Sequence, residues 1–353
     1  MELEPGTKID GRYTVEGILG EGGIATVYRV NQNQLDRKCA LKLLNTSSGS
    51  VRERLMQEGK VMATLQHPNV VNVIDVVDVD GDPGLVMEYI PGETLRHLLN
   101  DRRLALAEAL GLMRGITRGV AAAHAHGLVH RDLKPENILI QTTREGRVPK
   151  VTDFGLTKVL DSAHDEAGLE STPGLLLGTP AYMAPEQIAD SSDVDLRADI
   201  FSLGAILYEM VTGRRCFQGN TKNEIFESIQ AGEYIGPRSL AKDLPDGPYN
   251  AIVGALHIDP EQRTPNCEYL LTLLEGHSPE EEATVLRDKA AIAGAIDSAD
   301  QTLVQKSLSS LDGRKLTPAP APPRQATHPA LWAAAGFGAA AAMGLVGYLV
   351  MGT

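Results

Sequence analysis

From Tyr13 to about Glu275, short runs of apolar and β-branched residues alternate with segments whose apolar positions recur every three or four residues. Gly and Pro mark the joins. The stretch LGEGGIATVYRV, residues 19–30, sets a glycine loop between two strand-like runs. Thr26, Val27, Tyr28, Arg29 and Val30 are β-formers, and the polar turn NQNQLDRK follows. The loop is therefore expected to join two antiparallel strands rather than to open a helix. CALKLL, residues 39–44, reads as a further strand. In VRERLMQEGKVMATLQ, Leu55, Glu58, Met62 and Leu65 lie three and four apart, which predicts one face of an amphipathic helix. ILI, at 138–140, is strand-like, and DIFSLGAILYEMVTG, from Asp199, predicts an apolar helix.

The pattern changes after residue 275. The chain is polar to Pro329, and its end, TPAPAPPRQATHP, is expected to be an extended polyproline-type spacer. Residues 280–311 are expected to form a solvated helical or partly disordered juxtamembrane stretch. From Ala330 to Met351 no residue is charged. At about 1.5 Å per residue, roughly 20 residues of helix match a hydrocarbon core of about 30 Å. A single transmembrane helix over 330–351 is the expectation, and a buried or dimer-forming helix is the alternative. Trp332 and Tyr348 stand near the two ends, and Arg314, Lys315 and Arg324 precede the span. The expected placement is a single pass through the cell inner membrane with the bulk of the chain cytoplasmic. Gly336, Ala340 and Gly344 repeat every fourth residue, spacing that suits a homodimer of such helices. Few residues follow the span, so no sensor is expected beyond it. The acidic MELEPGTKID start has no apolar run, so no cleavable signal is expected.

Composition narrows the function. The net charge of −13 argues against a nucleic-acid partner, which would call for a surplus of Lys and Arg. Cys39, Cys216 and Cys267 are far apart and read as small buried side chains in a reducing compartment. No internal repeat is evident.

The candidate chemistry starts at the glycine loop. No Lys-Ser/Thr pair follows it, so it is not a Walker-type loop. A lid over phosphates remains, with Gly20 and Gly22 as GxG and Ala25 in the third glycine position; a plain tight hairpin is the alternative. Lys42 on an apolar strand is costly to bury without an anion, and Glu58 on an apolar helix face needs a partner, so the two are expected to pair. VHRDLKPENILI, residues 129–140, crowds Asp132, Lys134 and Asn137 into one loop. KVTDFGLTK follows with Asp153, Phe154 and Gly155. A carboxylate and an amide converging on phosphates suit Mg²⁺, which prefers oxygen donors. GTPAYMAPE, residues 178–186, comes next.

In this order HRDLKPEN, DFG and APE resemble the protein-kinase superfamily over three-quarters of the chain, and the Lys-Pro-Glu-Asn and GTPAYMAPE forms are similar to serine/threonine kinases. A kinase, a linker and one span together resemble bacterial eukaryotic-like (Hanks-type) receptor kinases. The resemblance implies an α+β, bilobal fold. A small antiparallel β lobe with one key helix would cover 13–90 and a larger, mainly helical lobe 91–275, after an extension at 1–12 and before a linker at 276–329. It implies ATP and Mg²⁺, with Mn²⁺ as a substitute, and protein substrates with Ser or Thr acceptors. Gly20, Glu21, Gly22, Gly23, Ile24, Ala25 and Thr26 would cover the phosphates, with Leu19 beside them in the nucleotide site. Val27, Ala40 and Leu139 would enclose the adenine, and Glu88, Tyr89 and Ile90 would form the hinge behind gatekeeper Met87. Glu93 would contact the ribose, or else be a solvated turn residue. Lys42, oriented by Glu58, would hold phosphates; Asn137 and Asp153 would hold the metal. Asp132 would take or orient the acceptor proton, and Lys134 would neutralise the transferred group.

The same resemblance gives structural roles. Phe154, His130 and Met62 would stack, Glu186 would pair with Arg263, and Asp199 would anchor the catalytic loop. Arg131 would meet a phosphate on the activation segment, at Thr172 first and Ser171 next, with Thr179 nearer Asp132 and Lys134. A solvated Ser-Thr-Pro turn is the alternative there. Two rival functions stand beside an active membrane kinase: a scaffold with a kinase fold and no catalysis, and a soluble kinase whose tail docks elsewhere.

Overall fold

The computed structural model describes residues 2–22, 25–44, 49–154, 180–189 and 194–276. Six antiparallel strands form the first sheet: β1 (Lys8–Ile9), β2 (Tyr13–Glu21), β3 (Ala25–Gln32), β4 (Arg37–Leu44), β5 (Val73–Val79) and β6 (Asp82–Glu88), in the order β1-β2-β3-β4-β6-β5. The glycine loop does join two antiparallel strands, and Gly22 N–H closes the β2–β3 hairpin on Ala25 O at 2.9 Å. Helix α1 (Gly49–Thr64) packs on β5 and β6, with Leu55, Met62 and Leu65 buried and Glu58 half-buried on the same stripe.

The sheet separates two clusters. Its inner face, through Leu44, Leu85 and Met87, joins α1 and the large core. Its outer face buries Tyr13, Val15, Tyr28, Val30, Leu41 and Val86. Leu3 and Ile9 cover that outer face, and Leu3 N–H donates to the Tyr28 hydroxyl at 3.1 Å. The described small lobe thus begins ahead of Tyr13.

A second, three-stranded sheet follows the hinge: β7 (Gly92–Thr94), β8 (Ile138–Thr143) and β9 (Gly146–Val151). Gly92 lets β7 lie against β8, because a Cβ there would fall 2.2 Å from Ile140 O. The helices are α2 (Leu95–Asp101), α3 (Leu106–Ala125), α4 (Pro185–Ala189), α5 (Arg197–Thr212), α6 (Lys222–Ala231), α7 (Pro237–Leu240), α8 (Asp246–Ala255) and α9 (Cys267–Leu274). Helix α5 is buried from Ala198 to Thr212 and packs on α3 and α8; a helix enclosed on all sides is the post of a large lobe. It ends at Gly213, whose φ of +74° is the left-handed C-cap that glycine adopts without strain.

Among the described residues no helix is long and apolar enough to cross a membrane. The expected span at 330–351 and the linker before it lie outside the described residues.

Candidate active site

The catalytic loop is hung from α5. Asp199 sits in its first turn, fully buried. Its Oδ2 accepts the His130 N–H at 2.8 Å, and its Oδ1 accepts the Arg131 N–H at 2.9 Å. His124, near the end of α3, approaches Oδ2 at 2.8 Å. Burial pushes the Asp199 carboxyl up, but the hydrogen bond from His124 and the backbone N–H of His130 outweigh it and hold the group below the usual carboxylate range. The clamp has a conformational task. Arg131 has φ +66°, a left-handed conformation that is uncommon for a non-glycine residue and that surrounding structure must hold. Gln187 also binds the Arg131 carbonyl at 2.7 Å.

Three polar groups converge just beyond. Lys134 Nζ donates to Asp132 Oδ2 at 2.6 Å. The Asn137 amide donates to Asp132 O at 2.8 Å and to Asp132 Oδ2 at 3.3 Å. With its N–H₂ spent on Asp132, Asn137 keeps its side-chain carbonyl oxygen as an acceptor for another partner. Asn137 O also accepts Thr152 N–H at 3.0 Å, which ties the loop to the strand leading to Asp153.

Asp153 completes the cluster from the other side. It too has a left-handed φ, +69°. Its Oδ2 lies 2.8 Å from Lys42 Nζ, an ion pair that joins β4 of the small lobe to the large lobe. Burial raises the Asp153 carboxyl, and Lys42, then His130 and Lys134, override it, so the group is held below its ordinary range. Lys42, Asp153, Asn137, Asp132 and Lys134 therefore share one cleft. An ionised carboxylate and an amide oxygen are hard donors that fit a divalent cation. The ion pair seen at Lys42 is with Asp153, and Glu58 lies half-buried on the α1 stripe that faces β5 and β6.

The cleft roof is set by register. Val27 stands opposite Lys42, and Ala40 opposite Met87. Gly20 pairs with Val27 and Glu21 with Thr26; Leu19 is exposed, while Gly23 and Ile24 lie outside the described residues. Met87 and Ile90 are buried at the hinge, Leu139 is partly buried on β8, and Glu93 is half-buried on β7. Phe154 meets His130 with ring centroids 4.8 Å apart; Phe154 packs in the core that holds Met62, and His130 is fully buried. Glu186 receives two hydrogen bonds from Arg263, at 2.6 and 2.9 Å. Arg131 Nη2 donates to Val194 O at 3.2 Å. Ser171, Thr172 and Thr179 lie outside the described residues.

Sequence reasoning missed how the hinge is braced. Glu88 does not offer its side chain to the cleft: Oε1 accepts Lys150 Nζ at 2.8 Å and Asn72 N–H at 2.9 Å. The signal was available, because Lys150 on the apolar strand of PKVTD is as costly to bury alone as Lys42.

The protein kinase domain family matches residues 13–272. The serine/threonine-protein kinase pkn2 of Myxococcus xanthus is 36% identical over 214 residues, 60% of this chain and 25% of that protein. The DNA damage-responsive serine/threonine-protein kinase RqkA of Deinococcus radiodurans is 37% identical over 251 residues, 70% of this chain and 36% of that one. The crystal structure of Rad53 residues 1–466 in complex with AMP-PNP aligns with a TM-score of 0.61 at 25% identity, covering 74% of this chain and 64% of that one. The chain spans between 25% and 40% of the length of the first curated relatives it matches. With the family matched over most of its length and the cleft assembled from the same residues, the chain belongs to the protein kinase family.

Proposed function

We propose that this chain transfers the γ-phosphoryl group of ATP to Ser or Thr hydroxyls of proteins, as a bacterial signalling kinase. The observation that supports this reading above others is the convergence of Lys42, Asp132, Lys134, Asn137 and Asp153 in one cleft between the lobes. A scaffold that only borrowed the fold would have no need of all five.

The acceptor oxygen attacks the γ-phosphorus, the bond to ADP breaks, and the hydroxyl proton passes to or is oriented by Asp132, whose carboxylate stands partly open to the cleft. Lys134, 2.6 Å from that carboxylate, neutralises charge on the group in flight. Lys42 would turn from Asp153 to the α and β phosphates, and Asp153 and Asn137 would hold a divalent cation, Mg²⁺ or Mn²⁺, which would screen the phosphate charge. In the structure Lys42 and Asp153 neutralise each other. Ala40, Val27 and Leu139 enclose the base, which meets hinge backbone because the Glu88 side chain is engaged elsewhere.

Activation by phosphate on Thr172, or on Ser171, answered by Arg131, belongs to the same reading, as does anchorage of a cytoplasmic kinase domain in the inner membrane through 330–351, with a homodimer packed on Gly336, Ala340 and Gly344. Incubation of the full chain with Mg-ATP and a generic acceptor protein tests the core claim. Phosphoserine or phosphothreonine is expected from the wild type, and Asp132→Asn should lose about 10²- to 10⁴-fold. Equal transfer by both would end the assignment of Asp132, and none by the wild type after co-expression with activators would favour the scaffold. Membrane fractionation with and without residues 330–353 tests the anchor.

A further inference from the structure

His124 reaches the catalytic loop through Asp199, and a residue from the end of the domain holds it in turn. Asp199 accepts on both oxygens from His130 and Arg131 backbone N–H groups, and its Oδ2 lies 2.8 Å from His124 Nε2. An ionised carboxylate only accepts hydrogen bonds, so the proton between them sits on Nε2. In a neutral ring Nδ1 then carries a lone pair in a buried place. Its partner is Cys267 Sγ, 3.8 Å away and within reach for sulfur. Cys267 is the first residue of α9 and is 1% exposed, and the His124 side chain is 9% exposed.

We propose that Cys267 is a positioning residue for phosphoryl transfer: its S–H donates to His124 Nδ1 and locks the ring so that Nε2–H, Asp199 and the His130–Arg131 backbone keep one alignment. Burial, with the nearby charges of Asp199 and Glu268, pushes the thiol well above its ordinary range, so it keeps the proton it donates. Without that donor His124 buries an unpaired acceptor, and the ring must turn or recruit water. Each outcome shifts the carboxylate that holds Arg131 in its left-handed conformation. Asp132 is the next residue along, and displacement of a reacting group by a fraction of an ångström is felt in rate.

The other two cysteines give the contrast. Cys39 Sγ faces the carbonyl of Arg37, two residues away on its own strand. Cys216 is buried in the core that holds Phe217. Neither touches the clamp. A cysteine that only filled space would behave as Cys216 does.

The test uses the full chain with ¹⁵N-labelled histidine. In the wild type, His124 is expected in the Nε2–H form with Nδ1 shifted as a hydrogen-bond acceptor. Cys267→Ala should lower kcat about three- to tenfold, the size of one lost hydrogen bond, with the KM for ATP unchanged and the Nδ1 resonance moved. Cys267→Ser should restore most of the rate and the resonance, and Cys216→Ala should leave kcat at the wild-type value. In a His124→Gln background Cys267→Ala should add nothing. A folded Cys267→Ala with wild-type kcat overturns the proposal, as do equal losses in the Ala and Ser variants. So does a wild-type ring protonated on Nδ1, a reading that needs no variant to fold.

Discussion

Asp153 and Asp199 are two carboxylates flanking one catalytic loop, both held below their ordinary range against burial, yet they are satisfied in opposite ways. Asp199 takes two backbone N–H groups and a histidine from its own lobe, donors that cannot leave without unfolding the loop. Asp153 takes a flexible lysine from the other lobe as its ion-pair partner among the described residues. Geometry that must persist is fixed by backbone. Charge that must be surrendered to a ligand is balanced by a side chain that can swing away.

That contrast can be broken experimentally. The largest effect is expected for Asp199→Ala, which strands two buried N–H groups and His124. Unfolding stability should fall by on the order of 4 kcal/mol and kcat by about 10²-fold or more in whatever remains folded, read from urea midpoints and initial rates. Wild-type rates in a folded Asp199→Ala protein would mean the clamp does not set the loop. Arg263→Ala should come next, at about 3 kcal/mol. The Arg263 side chain is fully buried, and its loss leaves Glu186 and the carbonyls of Arg197, His257 and Ile258 without their donor. Because that pair lies away from the cleft, rates per folded molecule should hold.

Lys42→Met sharpens the other side of the comparison. Activity should fall about 10²-fold, roughly 2.7 kcal/mol of transition-state stabilisation, while thermal melting moves by no more than a few degrees. A collapse of stability equal to that of Asp199→Ala would show that the Lys42 pair is structural. The smallest effect is in the pH profile. Asp153 and Asp199 have folded values lowered below an unfolded value of about 3.9. The stability they contribute is complete above that pH and drains away as the pH falls through the lowered values. Urea midpoints from pH 7 to pH 3 should drop at the acid end, and less so in Lys42→Met, where Asp153 has lost its reason to stay ionised.

Much of this was legible in the residues. Local pattern carries the β2–β3 hairpin and α1, because alternation and three-four spacing follow directly from strand and helix geometry. Lys42 announced itself as a charge on an apolar strand, costly to bury alone, while Asp132, Lys134, Asn137 and Asp153 were legible through VHRDLKPENILI and KVTDFGLTK and the resemblance those motifs carry. What escaped was partner choice over long separations: that Lys42 meets Asp153 across the cleft is decided only when the chain folds. The brace of Glu88 by Lys150 and the clamp of Asp199 by His124 join residues 62 and 75 positions apart, contacts that tertiary packing alone decides. The packing of Leu3 and Ile9 onto the sheet escaped for the same reason, since both look like ordinary residues in an acidic leader until the sheet is folded beneath them.

That last feature bears on how the molecule is handled. Leu3 seals the far side of the sheet through its own main chain, so a purification tag or fluorescent fusion joined directly ahead of it would crowd the Tyr28 hydroxyl. A gene trimmed to begin at Tyr13 would strip the sheet of its cover and leave two tyrosines wet. Fusions belong behind a spacer, and trimming belongs elsewhere.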